Sequence, residues 1–392
     1  MKRRAILIVL DGVGIGAAPD AALYGDEGSN SLVNTAAALN GLQLPNLSRL
    51  GLGHLADIKG VEAQPTPIGA FGVMEPASQG KDSTTGHWEL MGVLLKQPFP
   101  TYEQGFPEEI IKTFEERIGR KCLGNVVASG TEIIEQLGSD HMKTGCPIVY
   151  TSADSVFQIA AHEEVVPLDE LYAMCETARE LLKGEHAVGR VIARPFTGQA
   201  GDFKRTSNRH DYSLAPPRNI LDFIIESGQK VIGIGKIKDL FGGRGVSDNR
   251  PTTGNEHGIE LLLSAIGDGE GSLIFANLLD FDQVYGHRNN VLGYAEALTR
   301  FDKALGEILA LMHSEDLLFI TADHGNDPTT PSTDHSRECV PLLVYGPAFP
   351  GNVNLGRRRG FSDVGQTIAE HLGIPVEGLA GQSFYAELRG AS

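Results

Sequence analysis

The stretch AILIVLDG, residues 5–12, runs six apolar residues directly into the carboxylate of Asp11. A short run that is apolar at every position is typical of a strand buried on both faces of a parallel sheet. The segments SLIFANLLDFD (272–282) and LLFITADH (317–324) repeat this pattern of an apolar strand followed by acidic residues. Since ligands bind at the carboxyl ends of parallel strands, we expect these carboxylates to lie close together.

In the second half of the chain, apolar strands alternate with amphipathic helices. This alternation predicts an α/β fold with a mostly parallel sheet covered by helices on both faces. Ser362 is the expected N-cap of the last long helix. The predicted strands are 230–234, 272–279, 317–321 and 340–345, and the predicted helices are 219–226, 256–266, 291–312 and 363–372.

The rhythm of the sequence changes in the middle of the chain. Helix-like segments at 108–117 and 168–182 and a strand-like segment at 188–193 lie among polar loops, and prolines flank the whole region. An inserted smaller α+β domain explains this change, because its two connections would lie side by side. The predicted domains are a core in two parts, 1–100 and 218–392, and the inserted domain, 101–217.

Composition excludes several classes of protein. The 392 residues carry 33 basic and 50 acidic side chains, and the net charge of −17 argues against binding to nucleic acid or to an anionic membrane. No apolar run approaches the roughly 18 residues that span a bilayer. The four cysteines form no CxxC pair, which disfavours a zinc ribbon or a disulfide framework. We expect a cytoplasmic globular protein, and no oligomeric state is predicted.

Three histidines follow the acidic strand ends. His287 comes after Asp282, His324 directly follows Asp323, and His335 lies in the loop GNDPTTPSTDHSRE. Converging carboxylates repel one another strongly unless cations lie between them. Carboxylate and imidazole ligands without thiolate suit manganese, zinc or magnesium-like ions. The sequence therefore predicts a two-metal site.

Three hydroxyls lie in GKDSTTGHWELMG, residues 80–92, just before a predicted helix. Backbone N–H groups and the dipole at a helix start favour a phosphate. Ser83, Thr84 and Thr85 are therefore all candidate nucleophiles. DGVGIGA, residues 11–17, matches the dinucleotide-binding glycine pattern only in part, and the sequence contains neither a P-loop nor HExxH.

Several motifs resemble a known group of enzymes. DGVGIG, DSTTGHWE, DFDQVYGHR and TADHGND…TDHSRE occur in this order and resemble the alkaline phosphatase superfamily of metalloenzymes. GKDSTTGHWE, YTSADSVFQIAAHEE, GRVIARPF, NRHDYS and IGKIKDLF are similar to the phosphopentomutase family within it. The similarity extends from the first strand to the last helix and includes the insertion, so it implies an alkaline-phosphatase-like core with a cap domain.

The resemblance also implies roles for individual residues. It makes Thr85 the phosphate-carrying nucleophile and implies two Mn²⁺ ions, although other divalent ions are possible. It assigns one ion to Asp282, His287 and His335, and the other to Asp11, Asp323 and His324 with Thr85 or its phosphate. It places the pentose against Ser152, Asp154, Val156, Arg190, Ile192 and Lys236. Arg209, His210 and Asp211 form a further polar cluster without an assigned role.

The activity implied by the resemblance is that of an isomerase. Phosphorylated Thr85 would convert ribose 1-phosphate to ribose 5-phosphate, or the 2-deoxyribose equivalents, through a bound 1,5-bisphosphate. Glucose 1,6-bisphosphate or a similar sugar bisphosphate would prime the enzyme, which would serve nucleotide and pentose phosphate metabolism. Three alternatives stay open: a metal-dependent phosphomonoesterase, a cofactor-independent phosphoglycerate mutase, and a non-enzymatic protein that binds metal or phosphate.

Overall fold

The computed structural model describes residues 3–152 and 154–390. Within these residues the chain divides into two compact units. The first unit comprises the chain up to Pro98 and from Pro216 onward. The second unit runs from Phe99 to Ala215, so each of its boundaries lies two residues before the predicted one.

Both units combine strands and helices. The strands are β1 (Arg4–Leu10), β2 (Ala70–Met74), β3 (Leu123–Val127), β4 (Ile148–Thr151), β5 (Val156–His162), β6 (Arg190–Thr197), β7 (Lys204–Arg205), β8 (His210–Ser213), β9 (Val231–Ile234), β10 (Asp248–Arg250), β11 (Leu273–Leu278), β12 (Asp316–Thr321), β13 (Val340–Tyr345) and β14 (Val353–Arg358). The α-helices are α1 (Ser31–Ala38), α2 (Pro45–Leu50), α3 (Ser83–Leu90), α4 (Glu108–Ile118), α5 (Gly130–Thr144), α6 (Leu168–Leu181), α7 (Ile220–Glu226), α8 (Ile237–Leu240), α9 (Asn255–Gly267), α10 (Val291–Leu311), α11 (Ser362–His371) and α12 (Tyr385–Leu388).

The first unit is built on one large sheet. Its strands lie in the order β10-β9-β11-β1-β12-β13-β2-β14. Pairing is parallel from β10 to β12, β13 runs antiparallel to both of its neighbours, and β14 is parallel to β2. Every residue of β1, β11 and β12 is buried, as expected for strands covered on both faces. The predicted mostly parallel α/β fold is confirmed.

The central strands of this sheet are in a register that aligns their carboxyl ends. β1 lies between β11 and β12, with Leu10 opposite Leu278 and Val9 opposite Thr321. The three strands therefore end almost level with one another. The loop residues that come directly after them lie at one edge of the sheet.

Most predicted elements agree with the structure within two residues, including α7, α9 and α10. The strand predicted at 188–193 is instead β6, which begins and ends later, at Arg190–Thr197. The predicted N-cap was wrong, because Ser362 is the first residue of α11 and Phe361 precedes it as the cap without a side-chain hydrogen bond. Glu89 accepts a hydrogen bond from the backbone N–H of Phe361 and so fixes the start of this helix through a tertiary contact.

The second unit has its own mixed sheet, ordered β3-β4-β5-β6-β7, with β8 also paired to β6. One face packs against α4 and α6 around Phe114 and Phe157, and the other packs against α5 around Tyr150 and Phe196. Two apolar clusters on opposite faces of a sheet give this unit a core of its own. Among the described residues, no helix of either unit is both long and apolar enough to cross a membrane.

Candidate metal centre

Three carboxylates meet where the central strands of the first unit end. Asp11 follows β1, Asp282 lies in a single π-helical turn (Phe281–Tyr285) after β11, and Asp323 follows β12. The level ends of these strands bring the three side chains together, and all three are at least 95% buried. Buried carboxylates are costly unless positive charge lies between them.

Asp282 lies between two of the predicted histidines. Its Oδ2 is 3.2 Å from Nε2 of His287, and its Oδ1 is 3.2 Å from Nε2 of His335. One ligand atom from each of the three residues lies within 4.8 Å of the others, so the group could hold one metal ion. These are the three residues that the resemblance assigns to the first ion.

A second group surrounds His324. Its Nε2 lies 3.3 Å from Oδ1 of Asp11 and 3.4 Å from Oδ2 of Asp323. The three-residue group that lies within 4.8 Å is Asp11, Asp282 and His324, so Asp282 is common to both groups. The set predicted for the second ion names Asp323 in place of Asp282, and that allocation stays a prediction.

The electrostatics of the centre reflect crowded charges. Burial and the neighbouring Asp323 raise the pKa of the Asp11 carboxyl. Burial opposes ionisation of Asp282 too, but His335 and His287 hold the pKa of that carboxyl well below its usual range. Burial would lower the pKa of His324, yet the Asp323 and Asp11 carboxylates raise it well above its ordinary value. Opposite charges in the centre therefore favour the ionised form of Asp282 and the protonated form of His324.

The donor set fits divalent metal ions. Oδ2 of Asp323 and Nε2 of His335 are buried, and although His87 and Asp282 approach them to 3.1 and 3.2 Å, neither atom makes a hydrogen bond of good geometry among the described residues. Buried polar atoms are normally hydrogen-bonded, so such atoms point to a ligand such as a metal ion. Carboxylate oxygens and imidazole nitrogens without sulfur suit manganese, zinc or magnesium.

The predicted hydroxyls lie at the start of α3. Asp82 caps this helix and accepts hydrogen bonds from the backbone N–H of Thr85 at 3.0 Å and from its Oγ1 at 2.5 Å. Oγ of Ser83 lies 3.1 Å from Nε2 of His324 and 3.3 Å from Oδ1 of Asp11. Ser83 therefore contacts the metal-ligand candidates directly, while the buried Thr85 hydroxyl is held by the helix cap.

Five of the predicted pentose-binding residues cluster in the second unit. Ser152 and Asp154 follow β4, while Val156 and Arg190 lie opposite each other in the parallel pair β5–β6, with Ile192 two residues further along β6. The Asp154 and Arg190 side chains approach to 3.9 Å. The sixth residue, Lys236, lies in the first unit, where its Nζ donates to Oε1 of Gln283 at 3.1 Å.

The polar cluster without an assigned role lies beside this group. Arg209 donates two hydrogen bonds of 2.6 Å to the carboxylate of Asp211 on β8. Asp211 also lies 3.6 Å from Arg190 and opposite Ile192. The cluster thus supports the predicted pentose-binding group from the neighbouring strand.

Comparison with known proteins identifies the family. The family model of the metalloenzyme superfamily matches residues 3–376. Phosphopentomutase of Carboxydothermus hydrogenoformans is 59% identical over 388 residues, covering 99% of this chain and 100% of that one. Phosphopentomutase of Desulfitobacterium hafniense is 58% identical over 387 residues, covering 98% of this chain and 100% of that one. The chain belongs to the phosphopentomutase family. It is an enzyme, an isomerase of the metalloenzyme superfamily.

Comparison with solved structures bears on the fold alone. The PH0037 protein of Pyrococcus horikoshii has 19% sequence identity and a TM-score of 0.50, with 97% of this chain and 100% of that chain covered. This likeness supports the α/β architecture over nearly the whole chain.

Two residues that the sequence analysis did not select orient the candidate ligands. His87 stacks on Phe275, and its Nδ1 lies 2.8 Å from the Ser83 carbonyl and 3.1 Å from Oδ2 of Asp323. Asn277 donates to Oδ2 of Asp11 at 2.7 Å. Contacts of this kind fix the orientation of metal ligands. Asn277 gave a sequence signal, since it is a polar residue inside an otherwise apolar strand.

Arg337, also unselected, links the loop before α3 to the segment that carries His335. Its buried guanidinium donates to the carbonyls of Pro76, Ser78 and Gly80 and forms two hydrogen bonds with Asp20. One side chain thus satisfies three carbonyls in the segment that leads into the hydroxyl-bearing helix. This contact network positions that helix relative to the metal-ligand loop.

We expect Arg337→Met to lower the free energy of unfolding by about 3 kcal/mol or more, because it leaves buried carbonyls and Asp20 without their partner. Urea denaturation of the purified variant measures this change. Arg300→Met is the matched control, since the half-exposed Arg300 approaches Glu256 and Glu296 at 3.5 and 3.7 Å and donates one exposed hydrogen bond to the Tyr285 hydroxyl at 3.3 Å. The control should change stability by less than about 1 kcal/mol. Equal effects of the two substitutions would contradict the assigned role of Arg337.

Proposed function

We propose that this isomerase interconverts ribose 1-phosphate and ribose 5-phosphate, and the 2-deoxyribose equivalents, through a phosphothreonine at Thr85. One observation carries the proposal: the hydroxyl-bearing start of α3 lies against the candidate metal group that contains Asp11 and His324, with Ser83 3.1 Å from His324. A helix start offers N–H donors to a phosphoryl group. The full-length relatives are named phosphopentomutase, which supports a pentose phosphate as the substrate.

The proposed reaction consists of two phosphoryl transfers. In the first, the P–O bond to Thr85 breaks, and a new P–O bond forms to the free hydroxyl of the pentose phosphate, whose proton passes to the Thr85 oxygen. The product is a 1,5-bisphosphate. In the second, the other phosphoryl group returns to Thr85, and the proton moves back to the sugar. Atoms balance over the cycle, and the enzyme ends phosphorylated as it began.

Two divalent ions, proposed to be Mn²⁺, would be held by Asp11, Asp282, Asp323 and the three histidines. When bound, they neutralise the charge that develops on the transferred phosphoryl oxygens. The protein's own part is to hold the hydroxyls in place, through the Asp82 cap and the contact of Gly86 with Asp323. A Cβ at Gly86 would lie 2.2 Å from the Asp323 carbonyl, so only glycine permits this approach of α3.

The second unit supplies the proposed sugar-binding residues. Arg190 suits a phosphate, Ser152 and Asp154 suit sugar hydroxyls, and Val156 and Ile192 give an apolar wall. The proposal also includes Lys236, which lies in the first unit and donates a hydrogen bond to Gln283 there. The predicted role of the second unit as a cap is part of this proposal, as are priming by glucose 1,6-bisphosphate and a cytoplasmic location.

Phosphorus NMR of the manganese-loaded protein with ribose 5-phosphate and a trace of glucose 1,6-bisphosphate tests the proposal. We expect a ribose 1-phosphate signal that grows to a constant ratio, without accumulation of inorganic phosphate. Steady phosphate release would instead indicate a phosphomonoesterase. Turnover of 3-phosphoglycerate, with none of the pentose phosphate, would indicate a phosphoglycerate mutase. The metal-depleted protein, restored by added Mn²⁺, serves as the control.

A further inference from the structure

One buried carboxylate outside the candidate ligand groups joins the loops that carry the ligands. Glu338 is 1% exposed and lies three residues after His335, just before β13. Its carboxylate accepts hydrogen bonds from the backbone N–H groups of Gly16 and Ser31 at 3.2 and 2.9 Å. It also accepts hydrogen bonds from the hydroxyls of Ser31 and Ser336 at 2.8 and 2.7 Å. Four hydrogen bonds thus compensate the cost of burying this group.

Two glycines lie against the same carboxylate. A Cβ on Gly14 would lie 2.2 Å from Oε2 of Glu338, and a Cβ on Gly325 would lie 2.3 Å from Oε1. Only glycine permits so close an approach at either position. Gly14 is in the loop that begins with Asp11, and Gly325 directly follows His324. The Glu338 carboxylate therefore lies between the loop after β1 and the loop after β12 and sets the distance between them.

This contact gives the glycine-rich segment DGVGIGA, residues 11–17, a physical role. Gly14 leaves room for the carboxylate, and the N–H of Gly16, a residue with a φ of 113°, donates to it. Such a φ favours glycine. The turn thus binds an acidic side chain of its own chain, whereas a dinucleotide-binding turn presents its glycines to a pyrophosphate.

Ser31, the first residue of α1, extends the contact to Asp282. While Oγ of Ser31 donates to Glu338, it accepts a hydrogen bond from the backbone N–H of Asn326 at 3.1 Å. The same N–H donates to the Gly12 carbonyl at 2.8 Å. The Asn326 side chain in turn donates from Nδ2 to Oδ1 of Asp282 at 2.7 Å. Two hydrogen-bonded residues therefore connect Glu338 to the carboxylate that belongs to both candidate ligand groups.

We propose that Glu338 is a positioning residue of the metal centre, which holds the loop after β1 and the loop after β12 at the separation that bound metal requires. The inference rests on the proposed binding of two divalent ions at these loops. Glu338 acts through the backbone of the loops and through Ser31 and Asn326. Removal of a group that orients metal ligands typically lowers metal affinity ten- to hundredfold.

Titration of the purified full chain with Mn²⁺ tests this role, with free Mn²⁺ measured by electron paramagnetic resonance. We expect the wild type to bind two ions and Glu338→Gln to bind one of them about ten- to hundredfold more weakly, because an amide accepts fewer of the four hydrogen bonds. Glu338→Ala, which leaves all four donors without their acceptor, should weaken binding further. Ser31→Ala removes only the linking hydroxyl and should weaken binding about two- to tenfold.

Asp302→Asn is the matched control for a purely structural effect. Asp302 is 2% exposed, and its carboxylate accepts three hydrogen bonds from Asn46 and Leu47 at the start of α2. Like Glu338, it is a buried carboxylate bonded to a helix start, but it contacts neither ligand loop. Urea denaturation should show a loss of stability in both Asp302→Asn and Glu338→Gln, whereas Asp302→Asn should bind both ions as the wild type does.

Failure of this inference and failure of the metal centre give different results. Wild-type Mn²⁺ affinity in Glu338→Gln and Ser31→Ala would overturn the positioning role and leave the metal centre in place. Equal weakening in Asp302→Asn would also overturn it, because Mn²⁺ affinity would then follow overall stability. A wild-type protein that binds no Mn²⁺ would overturn the proposed metal centre and this inference together.

Discussion

Asp282→Asn is expected to lower kcat by about a thousandfold or more and to reduce the metal content of both sites. The reason is geometric. Asp282 belongs to both groups of candidate ligands and lies 3.2 Å from His287 and from His335, one on each of its two oxygens. An amide in its place keeps the shape of the side chain but removes the negative charge and one good ligand oxygen. Less metal ion is then bound between the remaining carboxylates, so they repel one another more strongly.

Metal analysis and steady-state kinetics of the same samples measure this effect. Asp280→Asn is the matched control, because Asp280 lies two residues away and accepts a hydrogen bond from the backbone N–H of Asn255, a role that an asparagine oxygen retains. The control should keep its metal and its rate. Near wild-type activity of Asp282→Asn would show that the metal centre has been placed wrongly.

Asp323→Asn completes this comparison and tests the predicted allocation of ligands. If Asp323 binds the second ion, as the resemblance implies, its amide variant should lose one ion, retain the ion near His287, and lose several orders of magnitude in rate. Retention of both ions would instead assign Asp323 to orienting His324 and His87, which lie 3.4 and 3.1 Å from its Oδ2.

The sequence was sufficient to predict the edge of the sheet where the centre lies. Fully apolar strands such as β1 are recognisable because both faces are buried, and parallel strands bring their carboxyl ends together. A carboxylate that directly follows such a strand, as Asp11 does, therefore has a predictable position. The histidines were predictable for the same reason, since each lies within a few residues of a strand end or in the adjoining loop.

Features that depend on tertiary contacts were not predictable in the same way. The start of α11 is set by Glu89, which is distant in sequence from Phe361. Arg337 reaches three carbonyls of a segment more than 250 residues away, and nothing in its local sequence distinguishes it from a surface arginine. Asp282 belongs to both candidate metal-ligand groups because of the direction of its side chain, and the spacing of residues in the sequence does not determine that direction.

Which of the three hydroxyls is the nucleophile also depends on tertiary contacts and is not given by the sequence. The variants Thr85→Ala and Ser83→Ala are expected to distinguish these candidates. Thr85→Ala should lower kcat by about 10⁴-fold or more, as loss of a nucleophile does. It should also abolish the phosphoprotein that forms with glucose 1,6-bisphosphate, detected by intact mass spectrometry. Ser83→Ala should keep the phosphoprotein and lose about tenfold in rate, because it removes one hydrogen bond near His324.

Thr84→Ala is the matched control, since it removes a neighbouring hydroxyl of the same helix turn and should leave both readouts near wild type. The opposite pattern, with phosphoprotein present in Thr85→Ala and absent in Ser83→Ala, would make Ser83 the nucleophile. That reversal has a structural rationale, because Ser83 contacts His324 and Asp11 whereas the Thr85 hydroxyl is bonded to Asp82. If Thr85 is the nucleophile, its hydroxyl must give up its hydrogen bond to Asp82 when it takes the phosphoryl group. Asp82→Asn should therefore change the rate of phosphorylation without changing which residue is phosphorylated.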